Sequence, residues 1–123
     1  MLCEIKKAEP KSKDEREEIF EFASGKNVLI LKRKKGTVSG EHYHLGKAKS
    51  KNPEIFFLIK GKIEFYAEHV KTKEKQKTIV EENSLIIIPP MVYHKLKALT
   101  DIVFIELNNE PDKYDKDTVK DYK

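Results

Sequence analysis

The sequence has one cysteine and no long apolar run, and each shortage excludes a class of protein. Because Cys3 is the single cysteine, it cannot form an internal disulfide, and no residue beside it suggests a nucleophile. No apolar run approaches the roughly 18 residues of a membrane span, and the first ten residues lack the apolar middle of a signal peptide. We therefore expect a cytoplasmic protein with no membrane partner.

Linkers and internal repeats are also absent from the sequence. No Gly/Ser-rich or Pro-rich stretch divides the 123 residues, and no segment repeats at a period of roughly 20 to 50 residues. A chain of this length is typical of one domain. The sequence predicts a single domain over residues 1–123 that ends in a polar tail at 108–123.

Charge is nearly balanced, since 25 basic residues stand against 21 acidic ones and the net charge is +4. Lysines and glutamates are interspersed, which is typical of a solvated surface. The basic runs LKRKKG and LGKAKSKN either face an anionic ligand or form solvated loops. Lys60–Phe65 is faintly similar to the aromatic strand of RNA-recognition folds, but Lys62 stands where a stacking aromatic is expected. We expect no nucleic-acid partner.

Short apolar runs separated by turn residues recur from about Glu18 onward. This pattern predicts an all-β fold, either a barrel or a sandwich. In VYHKLK, Val92, His94 and Leu96 share one strand face, so His94 points inward. The run EIFFLI is apolar on both faces, as in a central strand covered on each side, so Glu54 begins a strand that enters the interior.

Two segments are harder to assign. DEREEIFEFAS fits a short helix or a strand, and the alternation of Ile19, Glu21 and Ala23 with Phe20 and Phe22 favours the strand. The tail NNEPDKYDKDTVKDYK has too few large apolar residues for a core strand, which predicts a short helix or a loosely held end.

Three histidines and one glutamate form a candidate metal site. His42 and His44 are two residues apart on a predicted strand and project to one face, where two imidazoles can meet one ion. His94 adds a third inward imidazole, and Glu54 adds an anionic oxygen. Three nitrogens and a carboxylate can hold a divalent metal and leave positions for water or substrate. The alternative is that each histidine is separately a core or surface residue.

These residues resemble the cupin superfamily, whose first motif is a glycine, five residues, His-x-His, a short gap, a glutamate, six residues and a glycine. Gly36, His42, His44, Glu54 and Gly61 reproduce that order. The nine residues LGKAKSKNP separate His44 from Glu54 where the family usually has three or four. A longer loop absorbs this insertion, because closure cost rises only logarithmically with length.

The second cupin motif is matched in part. Asn83, Pro89 and His94 occupy motif positions, with Asn83 standing for a glycine because asparagine tolerates the left-handed conformation. Met91 replaces the other glycine and Ala98 the final asparagine. The resemblance covers about residues 36–107. It implies a cupin-type β-barrel, also described as a double-stranded β-helix or jelly roll, with His42, His44, Glu54 and His94 as metal ligands. The cofactor that the resemblance implies is a divalent transition metal, namely Zn, Mn, Fe, Ni or Co.

A narrower similarity points to the carbohydrate-modifying cupins. Their early Asp-x-Arg-Gly segment resembles Asp14–Glu17, and their Arg-Gly-x-His-x-His run resembles Ser39–His44, in which Ser39 replaces an arginine. Arg16, Arg33 or loop lysines are candidates to compensate for that loss.

The resemblance implies three candidate functions. The first is a metal cupin that acts on or binds a small polar molecule, such as a carbohydrate or sugar nucleotide. The second is a metal-free sugar-nucleotide epimerase or isomerase in which His42 is the general base and a tyrosine, Tyr66 or Tyr93, returns the proton. The alternative for both tyrosine rings is packing at the barrel rim. The third is a non-catalytic binding module. The family also implies a homodimer, with EIFEFA or DIVFIEL as the shared edge.

Overall fold

The computed structural model describes residues 10–22, 27–48, 53–109 and 117–123. Its strands, in chain order, are β1 (Ser12–Lys13), β2 (Glu17–Phe22), β3 (Asn27–Arg33), β4 (Val38–His44), β5 (Glu54–Lys60), β6 (Ile63–His69), β7 (Lys75–Val80), β8 (Ser84–Ile88), β9 (Val92–Ala98), β10 (Ile102–Asn109) and β11 (Thr118–Val119). The described ranges contain no α-helix, and none of them could span a bilayer as a helix. The all-β prediction is confirmed, and the described part of EIFEFA, residues 18–22, lies in strand β2.

The strands form two antiparallel sheets. The larger has the order β1-β2-β3-β10-β5-β8, and the smaller has the order β11-β4-β9-β6-β7. Each sheet keeps its own edges, so the predicted barrel is a jelly roll of two facing sheets. Residues 102–107 of DIVFIEL lie in β10, which is between β3 and β5 and therefore cannot supply a dimer edge, contrary to that prediction.

The core lies between the sheets and follows the period-two alternation of their strands. In β5, Phe56 and Leu58 are buried, whereas Ile55 and Phe57 point to the other side of the sheet. The core residues are Leu29, Leu31, Phe56, Leu58, Ile63, Phe65, Ala67, Val80, Ile86, Ile88, Leu96, Ala98, Ile102 and Phe104. The outer face of β5 is only half-buried, so the expectation that β5 is covered on both sides is wrong for this chain taken alone.

Two non-glycine residues take the left-handed conformation where the cupin motif has glycine. Asn83 has a φ of 66° and donates its backbone N–H to the carbonyl of Leu58 at 2.7 Å. Met91 also has a φ of 66°, and its N–H donates to the carbonyl of His44 at 2.8 Å. The second motif therefore keeps its turns despite the substitutions.

The end of the chain is part of the fold. Strand β11 pairs with β4, with Thr118 opposite His44 and Val119 opposite Tyr43. The prediction of a loosely held end is wrong for residues 118–123, because Thr118 and Val119 pair with β4, and Tyr122 and Lys123 contact Glu68. Predictions that concern Cys3, Ala23, residues 49–52 and residues 110–116 lie outside the described residues.

Candidate metal centre

The smaller sheet supplies three imidazoles from two neighbouring strands. His42 and His44 lie on β4, and His94 lies on β9 directly opposite His42. The register shifts between Gly40 and His42, where Glu41 adopts a φ of 60°, so β4 contains a bulge just before the histidines. A bulge inserts a residue and re-aims the side chains that follow. Here it precedes the pairing of His42 with His94.

Glu54 reaches the histidines from the larger sheet. Its Oε1 lies 3.3 Å from His94 Nε2 and 3.4 Å from His44 Nε2. The rings of His42 and His44 have centroids 4.8 Å apart, and those of His42 and His94 4.7 Å apart. One ligand atom from each of the four residues lies within 4.8 Å of the other three. The sequence prediction that these four side chains meet is confirmed by their positions.

Burial differs among the four residues. His94, Glu54 and His44 are 1%, 3% and 4% exposed, respectively, whereas His42 is only half-buried. The four residues therefore form a site with three deep members and one member nearer its open side, from which a small molecule could approach.

Each ring has a polar contact on its outer side. His94 Nδ1 lies 3.1 Å from the carbonyl oxygen of Val92, and His44 Nδ1 lies 3.1 Å from Thr118 Oγ1. The ring of His42 hydrogen-bonds to the backbone of Gly40. Since a carbonyl can only accept, Nδ1 of His94 is the donor in this contact, and in a neutral ring the lone pair is then on Nε2, the nitrogen that faces Glu54. Such outer contacts orient the imidazoles of metal sites.

The electrostatics keep His42 neutral. Burial, followed by the neighbouring rings of His94 and His44, lowers the pKa of His42 from 6.5 to about 4, and Glu54 opposes this shift. A neutral imidazole is the form that binds a metal ion.

The geometry fits one divalent ion. Ligand atoms about 2.1 Å from a common ion lie about 3.0–3.4 Å apart in octahedral or tetrahedral coordination. The distances from Glu54 Oε1 to His44 Nε2 and His94 Nε2 are 3.4 and 3.3 Å. His44 Nε2 is buried and makes no hydrogen bond within the described residues. A ring nitrogen in that state is suited to a metal.

The structure does not bring Tyr66 to this site. Ala67 is opposite His94, whereas Tyr66 is opposite Lys95 and therefore lies on the outer face of the sheet. Its hydroxyl donates to Glu68 at 2.7 Å. Tyr93 is also on the outer face, next to His94 in sequence. The catalytic assignment of Tyr66 beside His42 is corrected by this geometry, because the sheet separates the two side chains.

Arg33 lies beside the position where the carbohydrate-modifying pattern has an arginine. Its guanidinium donates to the hydroxyl of Ser39 and forms an ion pair with Glu17 at 2.9 Å. Arg16 is exposed, and its backbone N–H donates to Asp14 Oδ1 at 2.7 Å. Of the two arginines considered from the sequence, Arg33 is the one that contacts Ser39.

The sequence analysis did not identify two polar features, the contact of Thr118 with His44 and the carboxylate of Glu106. Thr118 contacts His44 from the tail, and no local pattern predicts that pairing. Glu106 is a buried carboxylate on the inner face of β10, two residues from the core residue Phe104. The alternation of Ile102, Phe104 and Glu106 is the signal that could have located it.

Comparison with known proteins supports the fold. CapF with the inhibitor 3-isopropenyl-tropolone is 25% identical and has a TM-score of 0.70; the match covers 88% of this chain and 33% of CapF. Another CapF structure, the capsular polysaccharide assembling protein of Staphylococcus aureus, is 24% identical, with a TM-score of 0.70 and coverage of 88% and 32%. No curated protein matches the chain by sequence.

A variant of Bacillus subtilis oxalate decarboxylase has a TM-score of 0.68 at 13% identity, with coverage of 91% of this chain and 30% of that enzyme. The B. subtilis enzyme contains Mn(II) centres. This chain spans about a third of the length of these proteins.

The family model described as the polysaccharide biosynthesis C-terminal domain matches residues 12–121. The chain has a cupin fold, and it belongs to the polysaccharide biosynthesis C-terminal domain family.

Proposed function

We propose that this protein is a metal-binding cupin that acts on or binds a carbohydrate, such as a sugar nucleotide, in polysaccharide biosynthesis. The observation that carries the proposal is the convergence of His42, His44, Glu54 and His94, with ligand atoms within 4.8 Å of one another. The family match and the likeness to CapF support the carbohydrate class. This chain spans about a third of the length of CapF.

The four residues have two different roles in this proposal, which are binding the ion and contacting the ligand. His44, His94 and Glu54 are buried, so they are the residues that would hold the ion. His42 closes the ligand set near the open side, where its neutral ring is also placed to meet a substrate. A bound divalent metal would polarise a carbonyl or acidify water. Zn, Mn, Fe, Ni and Co all accept three nitrogens and one carboxylate, and the reaction itself stays a prediction.

Metal analysis of protein purified without an affinity tag tests this proposal. We expect about one transition-metal ion per chain for the wild type, and loss of most of it in His44→Ala and His94→Ala. His69→Ala is the matched control, because His69 is the last residue of β6 and its Nδ1 accepts from the N–H of Lys71 at 3.2 Å, away from the proposed ligands. A wild type without metal, or equal metal in all four proteins, would contradict the proposal.

The inhibitor of CapF provides a second test. A tropolone has adjacent ketone and hydroxyl oxygens, which can chelate one metal ion. We expect 3-isopropenyl-tropolone to bind the metal-loaded protein and to lose at least about tenfold in affinity in His44→Ala, because the ion would supply the contact. Equal binding to metal-free protein would place the inhibitor elsewhere.

A metal-free isomerase in which His42 is the general base is the second candidate. The observation in its favour is the neutral, half-buried ring of His42. Tyr66 is no longer available as its partner, because it lies on the outer face. Solvent deuterium exchange into nucleotide 4-keto sugars by chelator-treated protein distinguishes this candidate from the first. A non-catalytic binding module would bind the sugar nucleotide without exchange.

We also propose that the protein forms a homodimer through the outer face of the larger sheet. Leu85 and Ile87 on β8 are 56% and 59% exposed, and they pair with Phe57 and Ile55 of β5. Ile105 of β10 continues this apolar face opposite Phe57. A continuous apolar face of this kind is typical of subunit contacts.

Sedimentation analysis of Ile87→Lys tests the dimer. We expect a dimeric wild type and a monomeric variant, whereas Ile79→Lys, on the other sheet, stays dimeric. A monomeric wild type would contradict the homodimer. A dimeric Ile87→Lys variant would show that the subunits contact each other through another surface. The cytoplasmic location stays a prediction.

A further inference from the structure

We infer that Thr118 is a positioning residue for His44, and that the end of the chain thereby forms part of the metal centre. The inference rests on the proposed metal-binding function and deepens it. Thr118 Oγ1 lies 3.1 Å from His44 Nδ1, and the two residues are 74 positions apart in the chain. His44 Nε2, on the other side of the ring, lies 3.4 Å from Glu54 Oε1.

The contact between Thr118 and His44 matters because it determines which nitrogen of the His44 ring can bind a metal ion. A neutral imidazole has one N–H and one lone pair. When Nδ1–H donates to the hydroxyl of Thr118, Nε2 keeps its lone pair and points toward Glu54. His42 and His94 obtain the equivalent contact from the backbone of their own strands, at Gly40 and Val92. His44 obtains it from a side chain on a different strand.

The residue before Thr118 fixes that strand on the loop after His44. Asp117 is buried, and its carboxylate accepts from the N–H groups of Lys47 at 2.7 Å and Gly46 at 3.3 Å. Its backbone carbonyl accepts from the N–H of Leu45 at 2.9 Å. These three bonds set the position of Thr118 relative to His44.

The other end of the segment is attached to Glu68 on the outer face of the smaller sheet. Tyr122 Oη donates to Glu68 Oε2 at 2.5 Å, and Lys123 Nζ lies 2.8 Å from Glu68 Oε1. The Tyr122 ring also contacts the rings of Tyr43 and Tyr93, with centroids 5.8 and 5.3 Å away. Residues 117–123 are therefore held on both sides of Thr118, and its hydroxyl has a fixed place.

Metal titration of Thr118 variants tests the inference. We expect Thr118→Val, which keeps the shape and removes the hydroxyl, to weaken Zn²⁺ affinity by about 10- to 100-fold. Thr118→Ser, which keeps the hydroxyl, should restore affinity to within about threefold. Thr78→Val, the same change on exposed β7, is the matched control and should bind as the wild type does. Equal affinity in Thr118→Val and wild type would overturn the inference.

The imidazole ¹⁵N spectrum of metal-free protein provides a readout that does not depend on metal. We expect Thr118→Val to shift the His44 ring signals while those of His94 stay in place, since the Val92 contact is unchanged. His44 signals identical to those of the wild type would overturn the inference. A wild type that binds no Zn²⁺ would instead remove the proposed metal function, and the two failures are therefore distinguishable.

Discussion

Gly40 lies against His94 so closely that a Cβ on Gly40 would be 2.8 Å from the carbonyl oxygen of His94 and 3.3 Å from its ring Cδ2. Gly40 also has a φ of 86°, which L-residues rarely adopt. The conformation of the β4 bulge and the position of the His94 ring therefore require that residue 40 has no side chain.

Gly40→Ala should displace His94 and destabilise the fold. Left-handed strain and overpacking together predict a loss of about 2–4 kcal/mol in the free energy of unfolding. We expect Zn²⁺ affinity to fall at least about tenfold, because one ligand moves. Urea unfolding of metal-free protein and Zn²⁺ titration measure the two effects. A variant with wild-type values in both would show that the strand shifts to accept the methyl group without cost.

Gly61 and Gly36, the two glycines of the first motif, should respond differently to alanine. At Gly61 a Cβ would be 2.4 Å from the carbonyl oxygen of Asp101, with a φ of 98°; at Gly36 it would meet nothing within 4 Å, with a φ of 90°. An alanine at either position is therefore strained in the backbone, but of the two only the alanine at Gly61 also clashes with a neighbouring atom. We expect Gly36→Ala to cost about 1–2 kcal/mol and Gly61→Ala at least about 2 kcal/mol more. Equal losses in urea unfolding would contradict this account.

The sequence predicted that the four side chains meet because local patterns and the resemblance to the cupin motifs indicate the same residues. Alternation in VYHKLK places His94 inside, and the spacing of His42, His44 and Glu54 does the same for the first motif. In KIEFYA, the alternation of the apolar residues Ile63, Phe65 and Ala67 with Glu64 and Tyr66 indicates that Tyr66 points outward. Proposing Tyr66 as a proton donor followed the family pattern against that signal.

The features that the sequence did not predict depend on contacts between distant residues. The pairing of Thr118 with His44 brings residues together that no local periodicity connects, and the tail appeared too polar to form structure. The central position of β10 likewise follows from the order of strands in the sheet. The prediction of one domain over residues 1–123 stays a prediction, since the chain spans a third of CapF.

Acid should destabilise the metal-free protein through His42. The pKa of His42 is about 4 in the folded state and 6.5 when unperturbed, so the unfolded chain binds more protons between these values. Stability is therefore complete above about pH 6.5 and falls as the pH decreases toward 4. With allowance for the open side of the ring, His42 accounts for about 1–2 kcal/mol of that loss. Thermal unfolding of wild type and His42→Gln with chelator, from pH 4 to 7, should give a flatter profile for the variant.

The Met91→Gly variant should be more stable than the Met91→Ala variant, although glycine usually destabilises a protein relative to alanine. Its φ of 66° strains any L-residue, and the cupin motif has glycine at this position. Both backbone hydrogen bonds, from Met91 N–H to His44 at 2.8 Å and from Val70 N–H to Met91 at 3.0 Å, are available to either substitute. Each substitution removes the same half-buried side chain, so only the backbone term differs. Glycine releases the left-handed strain, but it also gives the unfolded chain more conformational entropy. We therefore expect the free energy of unfolding in urea to be about 1 kcal/mol higher for Met91→Gly than for Met91→Ala. An alanine variant at least as stable as the glycine variant would mean that this turn relaxes out of the left-handed region.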